Sequence, residues 1–259
     1  MTKRSDYYIN SIKRSIQILS SFTFKKKEFT ITELSKKLNI NKSAIYRILL
    51  TLEDENIVIK NKNSNKYRLG IKLLELGNIV KEQFEIKSYA LPIMEDLAKK
   101  TEETIDLNIL LDDQRVSIEK IDSPHDVRRI IQLGKSLPLY CGGSGKAILA
   151  FLPTTEIERI IQNTDLTALG PNTITDRKIL KKNLDEIRKK GYAISFEERV
   201  LDSTSIAAPI LEYKGFAMGS ISISGPISRF TKKKISTYIS LIKEAAHNIS
   251  KYLGYFKND

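Results

Sequence analysis

Apolar residues in the first third of the chain recur at helical spacing and predict three helices. The first helix carries the stripe Ile9, Ile12, Ile16 and Leu19. Thr30 and Glu33 fit a capping box at the start of the second helix, and Asn41 can cap a third that runs to about residue 55. A short turn, residues 38–41, joins the last two helices. This order indicates a helix-turn-helix.

A two-stranded hairpin is predicted directly after these helices. Residues 57–59 are a β-branched run, residues 67–69 suit a second short strand, and the basic, turn-rich stretch 60–66 connects them. Helix, turn, helix and hairpin is the order of a winged helix, whose third helix enters the DNA major groove while the wing meets phosphates. A helical hairpin used for protein contacts is the alternative. DNA is favoured by the polar helix face Lys42, Ser43, Tyr46 and Arg47.

A connecting helix is predicted over about residues 70–84. Its apolar stripe consists of Ile71, Leu74, Ile79, Val80 and Phe84. Gly70 and Gly77 lower its expected stiffness. The stripe would bury against a second copy of the chain, against its own domain, or against both.

The remaining residues predict an α+β domain. Strands are expected at 104–111, 116–121, 129–133, 192–196, 205–211 and 216–224. A helix over about 176–190 ends at Gly191, and a long final helix carries Ile235, Ile239, Ile242, Ala246, Ile249 and Leu253. Leu91, Met94, Leu97 and Ala98 mark another helix, with Pro92 in its first turn or at a kink. The simplest assembly is an antiparallel sheet with helices on both sides.

Two features of this domain suggest a small polar ligand. Gly142, Gly143 and Gly145 precede an apolar helix at 147–152, and free backbone amides at a helix N-terminus favour an anion. A plain tight turn is the alternative there. Three serines, 220, 222 and 224, share one face of a strand, which is either exposed to solvent or lines a polar cavity. Residues 203–205 add similar hydroxyl groups on the preceding strand.

Charge is concentrated at the N-terminal end of the chain. The 259 residues carry a net charge of +12, and residues 1–75 hold sixteen Lys/Arg against seven Asp/Glu, a net of +9. Such a basic module suggests a polyanionic partner, either a nucleic acid or an anionic membrane surface, and a solvated basic face is the alternative. No stretch is long and apolar enough for a membrane helix, and no secretory signal is recognised. A single cysteine excludes an internal disulfide and suits a reducing cytoplasm.

Catalysis is not favoured by the residue pattern. His125 and His247 have no cysteine or carboxylate at metal-ligand spacing, so neither a metal nor a cofactor is predicted. Cys141 beside the glycines is a candidate nucleophile, although apolar packing is the commoner role. Glu197 and Glu198 are a candidate acid/base pair, although a charge cluster at a strand end is commoner.

The chain resembles the IclR family of bacterial transcriptional regulators over essentially its whole length. Seven motifs carry the resemblance in the family order. They are residues 32–35, 41–49, 67–70, 137–139, 145–150, 206–210 and 222–226, including Asn41-Lys42-Ser43-Ala44-Ile45-Tyr46-Arg47 and Ser222-Ile223-Ser224-Gly225-Pro226. The resemblance implies a winged helix-turn-helix domain at 1–70, a linker and dimerisation helix at 71–85, and a GAF-like α/β effector-binding domain at 86–259.

The resemblance also implies partners and site residues. Contacts with double-stranded operator DNA are expected from Thr32, Asn41, Lys42, Ser43, Tyr46, Arg47, Lys62, Lys66 and Arg68. A small carboxylate effector, sugar-derived or aromatic, is expected at Leu137, Gly143, Ser144, Ser205, Ser222 and Ser224. Many family members have cysteine at the position of Ser205, which leaves the effector's identity open. Family members act as repressors or activators, as dimers that often pair into tetramers.

Two other hypotheses belong to different classes of function. One is a small-molecule enzyme with a DNA-binding appendage, using Cys141 or Glu198. The other is a scaffold whose larger domain binds no ligand and only dimerises.

Overall fold

The computed structural model describes residues 9–23, 26–61, 63–82 and 85–255. The chain divides into two compact units, residues 1–83 and 84–259. Separate hydrophobic clusters fill the two units, one in the smaller and two in the larger. Within the described residues, no helix is both long enough and apolar enough to cross a membrane.

The smaller unit has the order helix, helix, helix, hairpin, helix. Its elements are α1 (Asn10–Leu19), α2 (Ile31–Leu38), α3 (Lys42–Asp54), β1 (Val58–Asn61), β2 (Lys66–Leu69) and α4 (Lys72–Glu82). The two strands pair in antiparallel register, with Val58 opposite Leu69. The predicted helix-turn-helix and hairpin are therefore both present.

Local hydrogen bonds explain where α2 and α3 begin. The Thr30 side chain accepts from the backbone N–H of Glu33 at 3.2 Å, and the Glu33 carboxylate accepts from the N–H of Thr30 at 2.8 Å. Asn41 caps α3 by accepting from the N–H of Ala44 at 2.9 Å. Asn39, with φ of 53°, ends α2 in the left-handed conformation. The sequence-based prediction of both caps is confirmed.

Helix α1 does not bury the stripe that its spacing suggested. Ile9, Ile12 and Ile16 are 62%, 57% and 57% exposed, whereas Ile18 is fully buried. Because successive residues are about 100° apart around a helix, Ile18 lies on the side opposite the stripe. Helix α1 thus has two apolar sides. Ile18 packs into the smaller unit's core with Phe29, Leu34, Ile45, Leu49, Val58 and Tyr67, and Leu19 is the one residue of the predicted stripe that packs against that core.

The larger unit is built on a six-stranded antiparallel sheet in the order β5-β4-β3-β8-β7-β6. Its strands are β3 (Thr104–Leu111), β4 (Gln114–Ile121), β5 (Ser136–Pro138), β6 (Ala193–Phe196), β7 (Ser203–Leu211) and β8 (Ala217–Pro226). Its helices are α5 (Glu85–Thr101), α6 (Gly143–Leu149), α7 (Thr154–Asn163), α8 (Arg177–Lys190) and α9 (Lys232–Tyr252). Asp176 caps α8, and Gly191 ends it in the left-handed conformation, as predicted.

Helices cover both faces of this sheet. Apolar residues of β3 and β8, such as Ile105 and Ile223, form one core with helices α5 and α9. A second core, which includes Ile148 of α6 and Leu184 of α8, lies on the other side of the sheet. The polar residues of β3 and β8 also face that second side, which leaves room for a polar site there.

Several details of the larger unit differ from the sequence-based predictions. Residues 129–133, predicted to be a strand, are irregular, and Ile130 within them is 69% exposed. The strand that pairs with β4 at this edge of the sheet is the short β5. Of the two predicted positions of Pro92, the first turn of the helix is wrong, because Pro92 lies in the middle of α5. Helix α6 already begins at Gly143, and α7 was not predicted.

Candidate functional site

The exposed face of α3 carries side chains that suit a nucleic acid. Lys42, Ser43, Tyr46 and Arg47 are all exposed, while Ile45 and Leu49 of the same helix are buried. Asn41 serves as the N-cap and also accepts from the Ser43 hydroxyl at 3.1 Å. Thr32 is exposed on α2. Among the described residues, the charged groups of Lys42 and Arg47 make no hydrogen bond or ion pair, so they are available to an external partner.

The wing adds further positive charge to the same unit. Arg68 is exposed and Lys66 is half-buried on β2, and neither side chain is paired with a described residue. Asn61 shapes the turn, because its side chain accepts from the backbone N–H of Asn63 at 3.0 Å and of Ser64 at 3.3 Å. Lys62, which was also predicted to contact DNA, lies outside the described residues.

Two neighbouring cavities in the larger unit share four lining residues. These shared residues are Arg115, Arg129, Ile131 and Arg199. The inner cavity has a volume of about 30 Å³ and is also lined by Asp106, Gly142, Gly143, Ser144, Ser195, Ser203, Thr204, Ser205 and Ser224. The outer cavity has a volume of about 360 Å³ and is also lined by Ser117, Ile130, Gln132, Lys135, Leu137, Leu169 and Val200.

A ladder of polar residues across β3 and β8 forms the floor beside the inner cavity. The register places Thr104 opposite Ser224 and Asp106 opposite Ser222. The Ser222 hydroxyl donates to the Asp106 carboxylate, which also accepts from the Asn108 amide at 2.7 Å. This buried carboxylate is therefore held in place by hydrogen bonds from neutral groups.

Three guanidinium groups converge on the two cavities. Arg115 is buried and donates from one terminal nitrogen to the Asn108 side chain at 2.7 Å, but its Nε has no partner among the described residues. The guanidinium groups of Arg129 and Arg199 make no hydrogen bond or ion pair with any described residue. Thr204, which lines the inner cavity, also has a buried hydroxyl without a partner. Orphaned buried groups of this kind are rare and mark places where a ligand or water completes the bonding.

The glycine turn is fixed by a buried ion pair. The Lys146 ammonium lies 2.5 Å from the Glu198 carboxylate, and both side chains are almost fully buried. The second oxygen of Glu198 accepts from the backbone N–H of Gly142 at 2.9 Å. Gly143 donates its N–H to the Ser205 hydroxyl at 3.1 Å, and a Cβ at position 143 would lie 2.8 Å from that hydroxyl oxygen. The amides of Gly142 and Gly143 are thus bonded within the protein and are not free for an anion.

The predicted effector residues divide into three groups. Four of them line the inner cavity: Gly143, Ser144, Ser205 and Ser224. Leu137 lines the outer cavity. Ser222 lines neither cavity, because its hydroxyl is bonded to Asp106.

Sequence reasoning missed Asp106 and all three arginines. A signal for Asp106 was present, since Thr104, Asp106 and Asn108 alternate with Ile105, Leu107 and Ile109 along β3. Arg115 is the second residue of β4. Arg129 and Arg199 lie in irregular segments, where no periodicity indicates the direction of a side chain.

The candidate nucleophile has the wrong environment for catalysis. Cys141 is fully buried, and burial raises the pKa of its thiol to about 11. The thiol is therefore protonated at neutral pH, although the thiolate is the nucleophilic form. Glu198 is engaged by Lys146 and Gly142. Within the described residues, no cluster of three potential metal ligands occurs.

Two protein-family descriptions match the chain. Residues 11–61 match the IclR helix-turn-helix domain. Residues 79–251 match the bacterial transcriptional regulator IclR C-terminal domain. Together these matches span the helix-turn-helix and the sheet that carries the two cavities.

Known proteins are similar to this chain over nearly the whole length of both chains. The HTH-type transcriptional regulator KipR of Bacillus subtilis is 31% identical over 245 residues, covering 95% of this chain and 97% of KipR. The crystal structure of the Thermotoga maritima IclR is 33% identical with a TM-score of 0.79, covering 96% of this chain and all of that one. An IclR homologue from Microbacterium hydrocarbonoxydans, crystallised with 4-hydroxybenzoate, has the same fold, with 22% identity, a TM-score of 0.81 and coverage of 94% and 99%.

Proposed function

The chain belongs to the IclR family of bacterial transcriptional regulators, and we propose that a small organic acid in its larger unit controls its binding to operator DNA. The observation that carries the proposal is the exposed polar face of α3 inside a capped helix-turn-helix. DNA and ligand would act on different units of one chain, which is the arrangement that a ligand-responsive regulator needs.

On the DNA side, α3 is the proposed recognition helix. Its N-terminal residues would reach base edges in the major groove, with Arg47 suited to bidentate hydrogen bonding to guanine. Lys66 and Arg68 would contact phosphates from the wing. Thr32, Asn41, Lys42, Ser43 and Tyr46 complete the proposed DNA surface.

On the ligand side, the inner cavity is the proposed effector site. Its hydroxyl groups and three guanidinium groups suit a carboxylate, which is also what the M. hydrocarbonoxydans homologue was crystallised with. The effector would contact Gly143, Ser144, Ser205 and Ser224, with Leu137 at the outer cavity. Ser222 would act through Asp106.

A homodimer is the proposed assembly, in which two copies of α3 meet two halves of an inverted repeat. Support comes from α4, whose apolar residues Leu74, Leu76 and Ile79 are 59%, 43% and 51% exposed within a single chain. The isoleucine stripe on α1 is a second exposed apolar surface of the same unit. Pairing of dimers into tetramers is proposed on the family resemblance alone. Because its proposed partner is DNA, we propose that the protein acts in the cytoplasm. We also propose that it does not catalyse a reaction.

Selection of genomic DNA fragments on the immobilised full-length chain tests the DNA assignment. We expect wild type to enrich a few sites that contain an inverted repeat. Arg47→Ala should lower the affinity for those sites by about 10-fold or more, because a lost bidentate base contact costs about 1–3 kcal/mol.

A matched variant separates base recognition from phosphate contact. Lys66→Ala should weaken binding to all sequences about equally and should lower the salt dependence of binding by about one unit. Wild-type affinity of Arg47→Ala for the selected sites would contradict the assignment of α3 as the recognition helix.

A further inference from the structure

The two cavities carry more positive charge than the surrounding protein neutralises. Arg115, Arg129 and Arg199 line both cavities, and the only carboxylate among the described lining residues is that of Asp106. Glu198 precedes Arg199 in sequence, but its carboxylate is bonded to Lys146 and to the turn. Lys135 also lines the outer cavity, but it is exposed to solvent, so the three arginines and Asp106 leave a surplus of two positive charges that water does not fully solvate.

This surplus is not relieved by hydrogen bonds within the described residues. Asp106 is bonded to the neutral groups of Asn108 and Ser222 and makes no ion pair with any of the three arginines. Arg115 has one neutral amide partner and an unpartnered buried Nε. Arg115 is buried, whereas Arg129 and Arg199 are half-buried, and a poorly solvated charge without a partner is costly, so the three arginines favour an anionic partner.

The lowered pKa values of the three guanidinium groups agree with their burial and with their closeness to one another. Burial, followed by repulsion from Arg199, lowers the pKa of both Arg115 and Arg129 to about 10. Burial also lowers the pKa of Arg199. All three groups remain charged at neutral pH, so they repel one another until an anion binds between them.

The sizes of the two cavities limit the ligand to a small molecule. The inner cavity of about 30 Å³ holds a group of only a few heavy atoms, such as one carboxylate. The outer cavity of about 360 Å³ takes the rest of the ligand, against Ile130, Leu169 and Val200. Because the same arginines line both cavities, they can bind an anionic group in either one.

We propose that the ligand of this pocket is a small organic dianion, with one anionic group in the inner cavity and the second held by the shared arginines. Two negative charges match the surplus of two positive charges, whereas a single carboxylate offsets only one of them. This inference deepens the proposed function, because it names the charge class of the effector that the larger unit binds.

Matched pairs of ligands test the charge class on the full-length chain. Succinate and glutarate are titrated calorimetrically against their monoamides, which have nearly the same shape and one charge less. We expect each dicarboxylate to bind about 10-fold tighter or more, because hydrogen bonds to charged groups are stronger than those to neutral ones. Phosphoglycolate, whose total charge is about −2.5 to −3 at neutral pH, is the third probe, and binding tighter than that of the dicarboxylates favours a phosphate, with its higher charge, as the second group.

Arginine variants test whether the guanidinium groups cause the preference for a dicarboxylate over its monoamide. Arg129→Gln should reduce the preference for the dicarboxylate over its monoamide to near unity. Arg128→Gln is the control, since the Arg128 guanidinium is bonded to the backbone of His125 and lines neither cavity. Arg199→Gln should lower affinity for dianions and raise the midpoint of thermal unfolding without ligand, which a merely structural arginine would not do.

Two outcomes overturn the dianion. One is that monoamides bind as tightly as the dicarboxylates, and the other is that neither the dicarboxylates nor phosphoglycolate bind. Neither result bears on the proposal that α3 binds DNA, because that proposal is tested separately by binding of the same chain to its selected DNA fragments. Loss of fragment binding with dianion preference intact would contradict the proposed function and leave the charge class of the ligand standing.

Discussion

Glu198→Ala is expected to lower the free energy of unfolding of the larger unit by about 3–5 kcal/mol, because it leaves the Lys146 ammonium buried without its counter-ion. The Lys146 side chain is 2% exposed, so water cannot replace the lost carboxylate. The same change removes the acceptor for the N–H of Gly142 and should loosen the glycine turn at the inner cavity. Urea unfolding followed by circular dichroism measures the loss.

Two variants serve as controls for Glu198→Ala. Glu186→Ala breaks an exposed ion pair with Lys190 and should cost about 0–1 kcal/mol. The double variant Lys146→Met with Glu198→Leu should recover much of the lost stability, because it removes both buried charges. Equal, small losses for Glu198→Ala and Glu186→Ala would show that the buried pair does not hold the turn.

Gly70→Ala is expected to abolish most operator binding while leaving ligand binding intact. A Cβ at position 70 would lie 2.1 Å from the carbonyl oxygen of Asn56, and this neighbour is backbone that cannot rotate away. The N–H of Gly70 also donates to the carbonyl of Ile57 at 2.8 Å, so this contact joins the end of β2 to the connection between α3 and β1. Overpacking of this kind costs about 1–3 kcal/mol, and we expect a loss of operator affinity of about 10-fold or more.

Gly77→Ala is the matched control for Gly70→Ala. Gly77 lies within α4, where a Cβ would meet no atom within 4 Å. Alanine at this helix position should stabilise the smaller unit by about 1 kcal/mol and should leave the wing unchanged, and because α4 is also the proposed dimer surface, operator affinities are compared on samples shown to have the same oligomeric state. Equal operator affinities for Gly70→Ala and wild type would contradict the role given to this close approach.

Local signals predicted the smaller unit well because capping depends on adjacent residues. The Thr30 and Glu33 box and the Asn41 cap need only a spacing of three residues, and both are formed. The burial of α1 could not be predicted in the same way. Its stripe of isoleucines and Ile18 are both apolar, and only the packed unit decides which side faces the core.

The polar site of the larger unit was only partly predictable, for reasons that particular residues illustrate. Alternation along β8 indicated a serine face, and the structure adds that Ser222 is bonded to Asp106 across the β3 register. Residues 129–133 were wrongly predicted to be a strand, because their isoleucines and leucine are typical of a strand although the segment is irregular. Arg129 and Arg199 both line the inner cavity of the folded chain, although 69 residues separate them in sequence. No pattern in the sequence indicates that two residues so far apart lie close together.

Coupling between ligand and DNA is measured most directly by titrating the full-length chain with its selected fragment, with and without a saturating amount of the tightest-binding dianion. We expect the Kd for the fragment to change by about 5–150-fold, the usual range for a coupling of about 1–3 kcal/mol. By linkage, the Kd for the dianion must change by the same factor when the fragment is bound. A fragment Kd that is unchanged at saturating ligand would contradict a ligand-controlled regulator.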